Sequence, residues 1–152
     1  MENEHYTKLK ALEGQYFSDT LSKAGRWLHY KILRVEEGYL EASIHVREEF
    51  TNPSENLHGG MIAMIADELL GLSFYTLGKD TFYTTVNLHV DYLFAVPSGS
   101  LVIIKSKVLR CGKRMANVEC HMYDPENHLI AHATTNLMNT GNKIFNLTPL
   151  NS

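Results

Sequence analysis

From Met61 to Leu77 the chain reads MIAMIADELLGLSFYTL, apolar except for one carboxylate pair, Asp67-Glu68. Such a stretch, apolar nearly all round, predicts a buried helix over about His58–Leu77. It is short for a membrane span and carries two acids, so a bilayer is not its place. A buried helix must be wrapped by other elements, and the rest of the chain supplies strands. Val86, Leu88, Val90, Tyr92 and Phe94 alternate with Thr85, Asn87, His89 and Asp91, which predicts a strand with one apolar face. Pro97-Ser98-Gly99, Cys111-Gly112-Lys113 and Asp124-Pro125-Glu126-Asn127 read as turns between strands at Leu101–Leu109, Met115–Tyr123 and Leu129–Met138. Short turns imply antiparallel neighbours.

Upstream, Tyr6, Leu9, Leu12, Tyr16, Phe17 and Leu21 recur at helical steps, with Gly14 a weak point and Gly25 a plausible stop. This predicts an N-terminal helical segment over 3–24. Two strands should follow, about Trp27–Glu36 and Tyr39–Arg47, joined at Glu37-Gly38. The expected core spans about 27–140, with a loose tail over 141–152. The order is helix, two strands, buried helix, four strands. It predicts an α+β fold in which an antiparallel sheet wraps a long central helix, with an additional N-terminal helix.

Composition narrows the function classes. At 152 residues a single domain is expected, and 44% hydrophobic with 20% charged residues is ordinary for a soluble globular chain. A net charge of −3 gives nucleic acid no support as a partner. Cys111 and Cys120 form no disulfide framework, and the start of the chain has no secretory pattern. Reduced thiols in a cytoplasmic protein are expected, packed rather than nucleophilic.

The chemistry sits at the start of the buried helix, in Asn52-x5-His58-Gly59-Gly60-x6-Asp67. Gly59 and Gly60 admit a ligand close to backbone, and a helix N-terminus offers unpaired N–H groups to a polarised carbonyl. Two turns on, Asp67 sits among Met, Ile, Ala and Leu, where an unpaired buried charge needs a reason. A donor of this kind plus a poised acid or base suits acyl transfer. The alternatives are a tight loop into a core helix and a structural carboxylate at an interface. Glu68, ~100° round the helix, reads as an interface or solvated residue. Gly59 and Asp67 are ~12 Å apart along a helix axis, too far to share one carbonyl within one chain. A second helix lying antiparallel across a two-fold axis would join them, so a homodimer with composite sites is expected.

This segment resembles the hotdog-fold acyl-CoA thioesterases, in particular the phenylacetate-pathway, PaaI-type branch. The matching residues are Asn52, His58-Gly59-Gly60 and Asp67, followed by Thr85-x-Asn87-x5-Leu93 and Pro97-x-Gly99. Gly112-Lys113 and Asp124-Pro125-Glu126-Asn127 fall at the family's next hairpins, so the resemblance covers about 40–140. It implies hydrolysis of an acyl-CoA thioester, with no cofactor beyond the coenzyme A of the substrate. It implies Asp67 as general base or nucleophile, the Gly59 N–H as carbonyl donor, Asn52 beside carbonyl and water, and Thr85 holding the water. His58 belongs to the same set or merely shapes the turn. Gly60 and the basic hairpin residues Arg110, Lys113 and Arg114 are candidate substrate contacts, the latter for coenzyme A phosphates. A dimer of dimers is open in such a family. The competing readings are a non-catalytic acyl-CoA-binding or sensing module and, lower, a hotdog dehydratase or hydratase, for whose His-acid patterns there is no match.

No metal site is expected. His128 and His132 are four apart, but on a strand that is ~13 Å. His89-x-Asp91 reads as a strand face. Met61, Met64, Phe74, Tyr75, Phe82 and Tyr83 hint at a roomy apolar or aromatic cavity, though such residues at helical spacing also make plain core.

Overall fold

The computed structural model describes residues 1–18 and 22–143. Its centre is α3 (Gly59–Tyr75), laid on one face of a six-stranded antiparallel sheet. The strands are β1 (Lys31–Glu36), β2 (Tyr39–His45), β3 (Thr81–Tyr92), β4 (Leu101–Cys111), β5 (Met115–Tyr123) and β6 (Leu129–Lys143), in the order β1-β2-β4-β5-β6-β3. The sheet wrapped on a helix is the arrangement that the sequence predicts. The core lies between Ile65, Leu69 and Leu70 of α3 and inward residues such as Ile104, Val118, Met122 and Ala133, all buried. Ser73 and Ser106 share a buried hydroxyl–hydroxyl hydrogen bond at 2.7 Å between α3 and β4, and Ser73 Oγ also reaches the Leu70 carbonyl at 2.9 Å.

Several expectations change. The segment 3–24 is not one helix: α1 (Glu4–Lys10) ends in turns at Gly14, whose φ of +79° no helix can carry. A separate short helix, α2 (Lys23–Leu28), then takes Trp27 and Leu28 away from the predicted strand. Gly25 lies inside α2 and does not stop a helix. The first strand therefore starts at Lys31, after His29 closes α2 in the left-handed conformation. Residues 141–143, expected in a loose tail, belong to β6. The rest of that tail, 144–152, and Leu21 lie outside the described residues.

The long helix, α3, is also not buried all round. Gly60, Asp67 and Gly71 stay exposed along one stripe, while Ile62, Ile65, Ala66, Leu69 and Leu70 face the sheet. The stripe borders β3, the free edge of the sheet. Two-periodic alternation in β3 is also interrupted. Thr85 pairs with Leu137 but Asn87 pairs with Asn136, so Val86 is an extra residue in a bulge. Among the described residues no helix is long and apolar enough to cross a membrane.

Candidate active site at the open edge

The bulge decides what faces α3. Before it, Tyr83 packs on Phe74 with ring centroids 4.6 Å apart, and Thr85 reaches Asp67. After it, Leu88 and Val90 pack on the core and the Tyr92 hydroxyl donates to the Gly59 carbonyl at 3.1 Å. A regular strand would put Thr85 and Leu88 on opposite faces. That is where the alternation in the sequence placed them. The extra residue turns both toward the helix.

Thr85 Oγ1 donates to Asp67 Oδ1 at 2.8 Å. Asp67 is exposed in the single chain, not enclosed by its Met, Ile and Leu neighbours as expected. Its second oxygen takes no part in that bond. The enclosed carboxylate is its neighbour. Glu68 accepts from Ser22 Oγ at 2.9 Å and from the Tyr30 hydroxyl at 3.4 Å. Burial pushes its pKa up from the usual glutamate value, only partly opposed by those two donors. Glu68 is thus neither solvated nor left for an interface. The sequence offered one oblique sign, Gly25. A Cβ there would sit 1.9 Å from Glu68 Oε1, so α2 needs a glycine to close over the carboxylate.

At the other end of α3, His58 caps the helix. Its Nδ1 accepts the Gly60 N–H at 2.9 Å, which puts the ring proton on Nε2. The Gly59 N–H, at the helix start, has no acceptor among the described residues. Gly59 is also tight against Tyr92, whose ring lies 3.3 Å from where a Cβ would stand. Asn52 shapes the approach, for its Oδ1 accepts the N–H groups of Ser54 (3.0 Å) and Asn56 (3.2 Å). This leaves the Nδ2 donors of Asn52 to other partners.

So one chain brings Asp67 and Thr85 together, and separately Asn52, His58, Gly59 and Gly60, with ~12 Å of helix between the groups. Beside Asp67 and Thr85 opens a cavity of ≈ 410 Å³, lined among others by Phe17, Leu72, Phe74, Tyr75 and Tyr83, with Glu68 and Ser22 at one wall. Of the predicted cavity residues, Phe74, Tyr75, Phe82 and Tyr83 line it, whereas Met61 and Met64 pack against the core instead. Arg110, Lys113 and Arg114 are exposed and, among the described residues, have no carboxylate partner. Their hairpin is tied to the cavity wall: the Tyr83 hydroxyl donates to the carbonyls of Gly112 (3.1 Å) and Lys113 (3.2 Å). The cysteines stand apart. Both are free, and burial pushes the Cys120 thiol up to about 12, far from a nucleophile's range.

The family model described as Thioesterase superfamily matches residues 55–131, from the loop before α3 to the first three residues of β6. The chain belongs to the thioesterase superfamily. A protein of Saccharolobus solfataricus named as an esterase is 32% identical over 108 residues, 71% of this chain and 76% of that one. The human acyl-coenzyme A thioesterase 13 is 27% identical over 79 residues, 52% of this chain and 56% of its own. Among solved structures, the PaaI protein of the E. coli phenylacetic acid degradation operon superposes with a TM-score of 0.75. It is 16% identical and covers 82% of this chain and 88% of that one. This superfamily member therefore has the hotdog fold expected from its motif, and its family chemistry is thioester hydrolysis.

Proposed function

We propose that this thioesterase hydrolyses acyl-CoA thioesters, in sites built across a two-fold axis. Each site combines Asp67 and Thr85 of one protomer with the partner's Gly59 and Asn52. The observation that carries this reading is the division of the motif within one chain. A base with its hydroxyl partner stands at one place, and an unpaired N–H at a helix start stands ~12 Å away. Both lie on the same open stripe. An antiparallel copy on the β3 edge would place each beside the other's complement, as a closed two-fold dimer requires.

In such a site the partner's Gly59 N–H polarises the thioester carbonyl and holds the oxyanion as it forms. Thr85 and Asn52 hold a water, and Asp67 takes its proton or attacks the carbonyl carbon directly. In the first case the hydroxide bonds to the carbonyl carbon, the C–S bond breaks, and the coenzyme A thiolate takes the proton back from Asp67. In the second, coenzyme A leaves from an acyl–Asp67 anhydride that water then hydrolyses to the free carboxylate, one of the water's protons going to the thiolate and the other to solvent. Either way no metal is needed, because the thioester is already an activated acyl donor. The acyl group enters the cavity beside Asp67, whose aromatic and aliphatic walls suit an apolar or aryl chain. Arg110, Lys113 and Arg114 stand where unpaired cations can meet the phosphates of coenzyme A.

Thiol release from a panel of acyl-CoAs, aromatic through long-chain, tests this. Wild type turns over, and Asp67→Asn, which keeps size and removes the base, falls by ~10²-fold or more. Acyl-CoA binding without thiol release would favour the binding-module reading. Equal activity of the two proteins would move the base elsewhere.

A further inference from the structure

The outer face of the sheet, turned away from α3, carries a second constellation. In β5, Ala116, Val118, Cys120 and Met122 point into the core, so Glu119 and His121 point out. In β6, Ala133 and Thr135 are buried and His132 points out. Register then brings distant residues level with one another. His121 pairs with His132 across β5 and β6, and Asp91 pairs with His132 across β3 and β6. Directly opposed side chains on one face have Cβ atoms about 5 Å apart, so two imidazoles in that relation can share an ion.

The side-chain geometry is that of a chelate. One donor atom each from Glu119, His121 and His132 lies within 4.8 Å of the others. The His121 and His132 rings are 4.5 Å apart between centroids. His132 Nε2 and Glu119 Oε2 are 3.2 Å apart, both on side chains little more than a quarter exposed. Tetrahedral bonds of about 2.1 Å set donors about 3.4 Å apart, which small rotamer shifts reach from here. Behind the set stands a carboxylate at ion-pair distance, which the same small rotamer shifts bring into hydrogen-bond reach of the second ring nitrogen of His132. The other ring nitrogen of His132 is 4.0 Å from Asp91 Oδ2, and Asp91 is itself held by His89 at 3.1 Å. Lys105 pairs with His121, but its ammonium lies over the Tyr123 ring at 5.5 Å.

We propose that this face holds a divalent transition-metal site with Glu119, His121 and His132 as ligands. Asp91 orients His132, and a fourth position is open to water or a ligand. Two imidazoles with one carboxylate select a zinc-type ion over magnesium or calcium, which prefer all-oxygen sets. The site lies across the sheet from Asp67 and takes no part in thioester hydrolysis. It clamps β5 to β6 and, through Asp91, biases β3. The expectation of no metal weighed spacings along single strands, and these ligands meet only across strands. The other cluster, Asp124, Glu126 and His128, is committed to its turn, where Asp124 Oδ1 accepts the N–H groups of Glu126 and His128.

The test uses the full chain stripped by chelator and titrated with zinc chloride by calorimetry and thermal unfolding, with magnesium chloride alongside. One zinc per chain with a raised Tm, and no response to magnesium, is expected. Cobalt(II) at the same site should give the visible absorption of tetrahedral coordination. His121→Gln and His132→Gln should each lose the binding. Asp91→Asn should weaken it by about tenfold, and His128→Gln should leave it intact. No zinc binding by wild type, or equal binding by the His121 and His132 variants, would overturn the proposal.

Discussion

The two edges of the sheet are treated in opposite ways. At the β1 edge the chain seals itself. Residues 14–17 run alongside, with Gly14 N–H to the Ile32 carbonyl at 2.8 Å, Ile32 N–H to Gln15 at 2.9 Å and Phe17 N–H to Tyr30 at 2.9 Å. Phe17 is buried and stacks on Tyr30. At the β3 edge a 12-residue strand has no described neighbour on its outer side, and Phe82, Val86, Tyr92, Leu93 and Phe94 remain exposed. An uncovered, long, apolar edge is a hazard unless something pairs with it. The divided motif lies along that same edge. One edge is closed by the chain's own residues 14–17, whereas the other is left uncovered beside Asp67 and Thr85.

The largest expected effect comes from spoiling the open edge. Val86→Lys adds a charge at a residue exposed in the single chain, so folding is retained. Sedimentation should show a monomer, and thiol release should fall by tenfold or more. A monomer as active as wild type would break the comparison. Next, Thr85→Ala removes one donor to a carboxylate, a bond of about 1.5 kcal/mol, and should cost about tenfold in kcat without changing the association state. The sealed edge should answer in stability alone. Gly14→Ala asks a left-handed φ of alanine and should cost about 1 kcal/mol, read as a lower Tm with the association state and the activity unchanged. Loss of association in that variant would mean that the two edges are coupled.

The smallest effect lies at the cavity wall. Glu68 has a folded pKa raised by burial above its ordinary 4.5, so its contribution to stability is complete below that value. It is lost as pH rises through the raised folded value, because the folded protein must then hold a buried charge. Glu68→Gln should flatten this part of the stability–pH curve. Denaturant melts from pH 4 upward check it, and an unchanged slope would remove Glu68 as the cause.

Much of this was legible beforehand because it is local. The apolar run of α3, the turns at Gly38, Gly99, Gly112 and Asn127, and the His-Gly-Gly start each depend on near neighbours in the chain. So did the motif from Asn52 to Asp67, whose resemblance to the thioesterases the family match bears out. The N-terminal segment divides because Tyr6 and Leu9 serve a helix whereas Tyr16 and Phe17, at the same spacing, serve a sheet edge, and Gly14 has the backbone to bend the chain between them. Glu68 was misjudged because its partners, Ser22 and Tyr30, come from 46 and 38 residues away.

Read alone, the sequence determined the α+β class through its periodicity, and its contiguous motif carried the resemblance to a family that the family model then matched. Tertiary structure decided which of two adjacent carboxylates is open. It decided that a single bulge turns Thr85 toward Asp67, and that three strands line up Glu119, His121 and His132. These are matters of register and long-range burial, where one inserted residue inverts a face and no count along the chain records it.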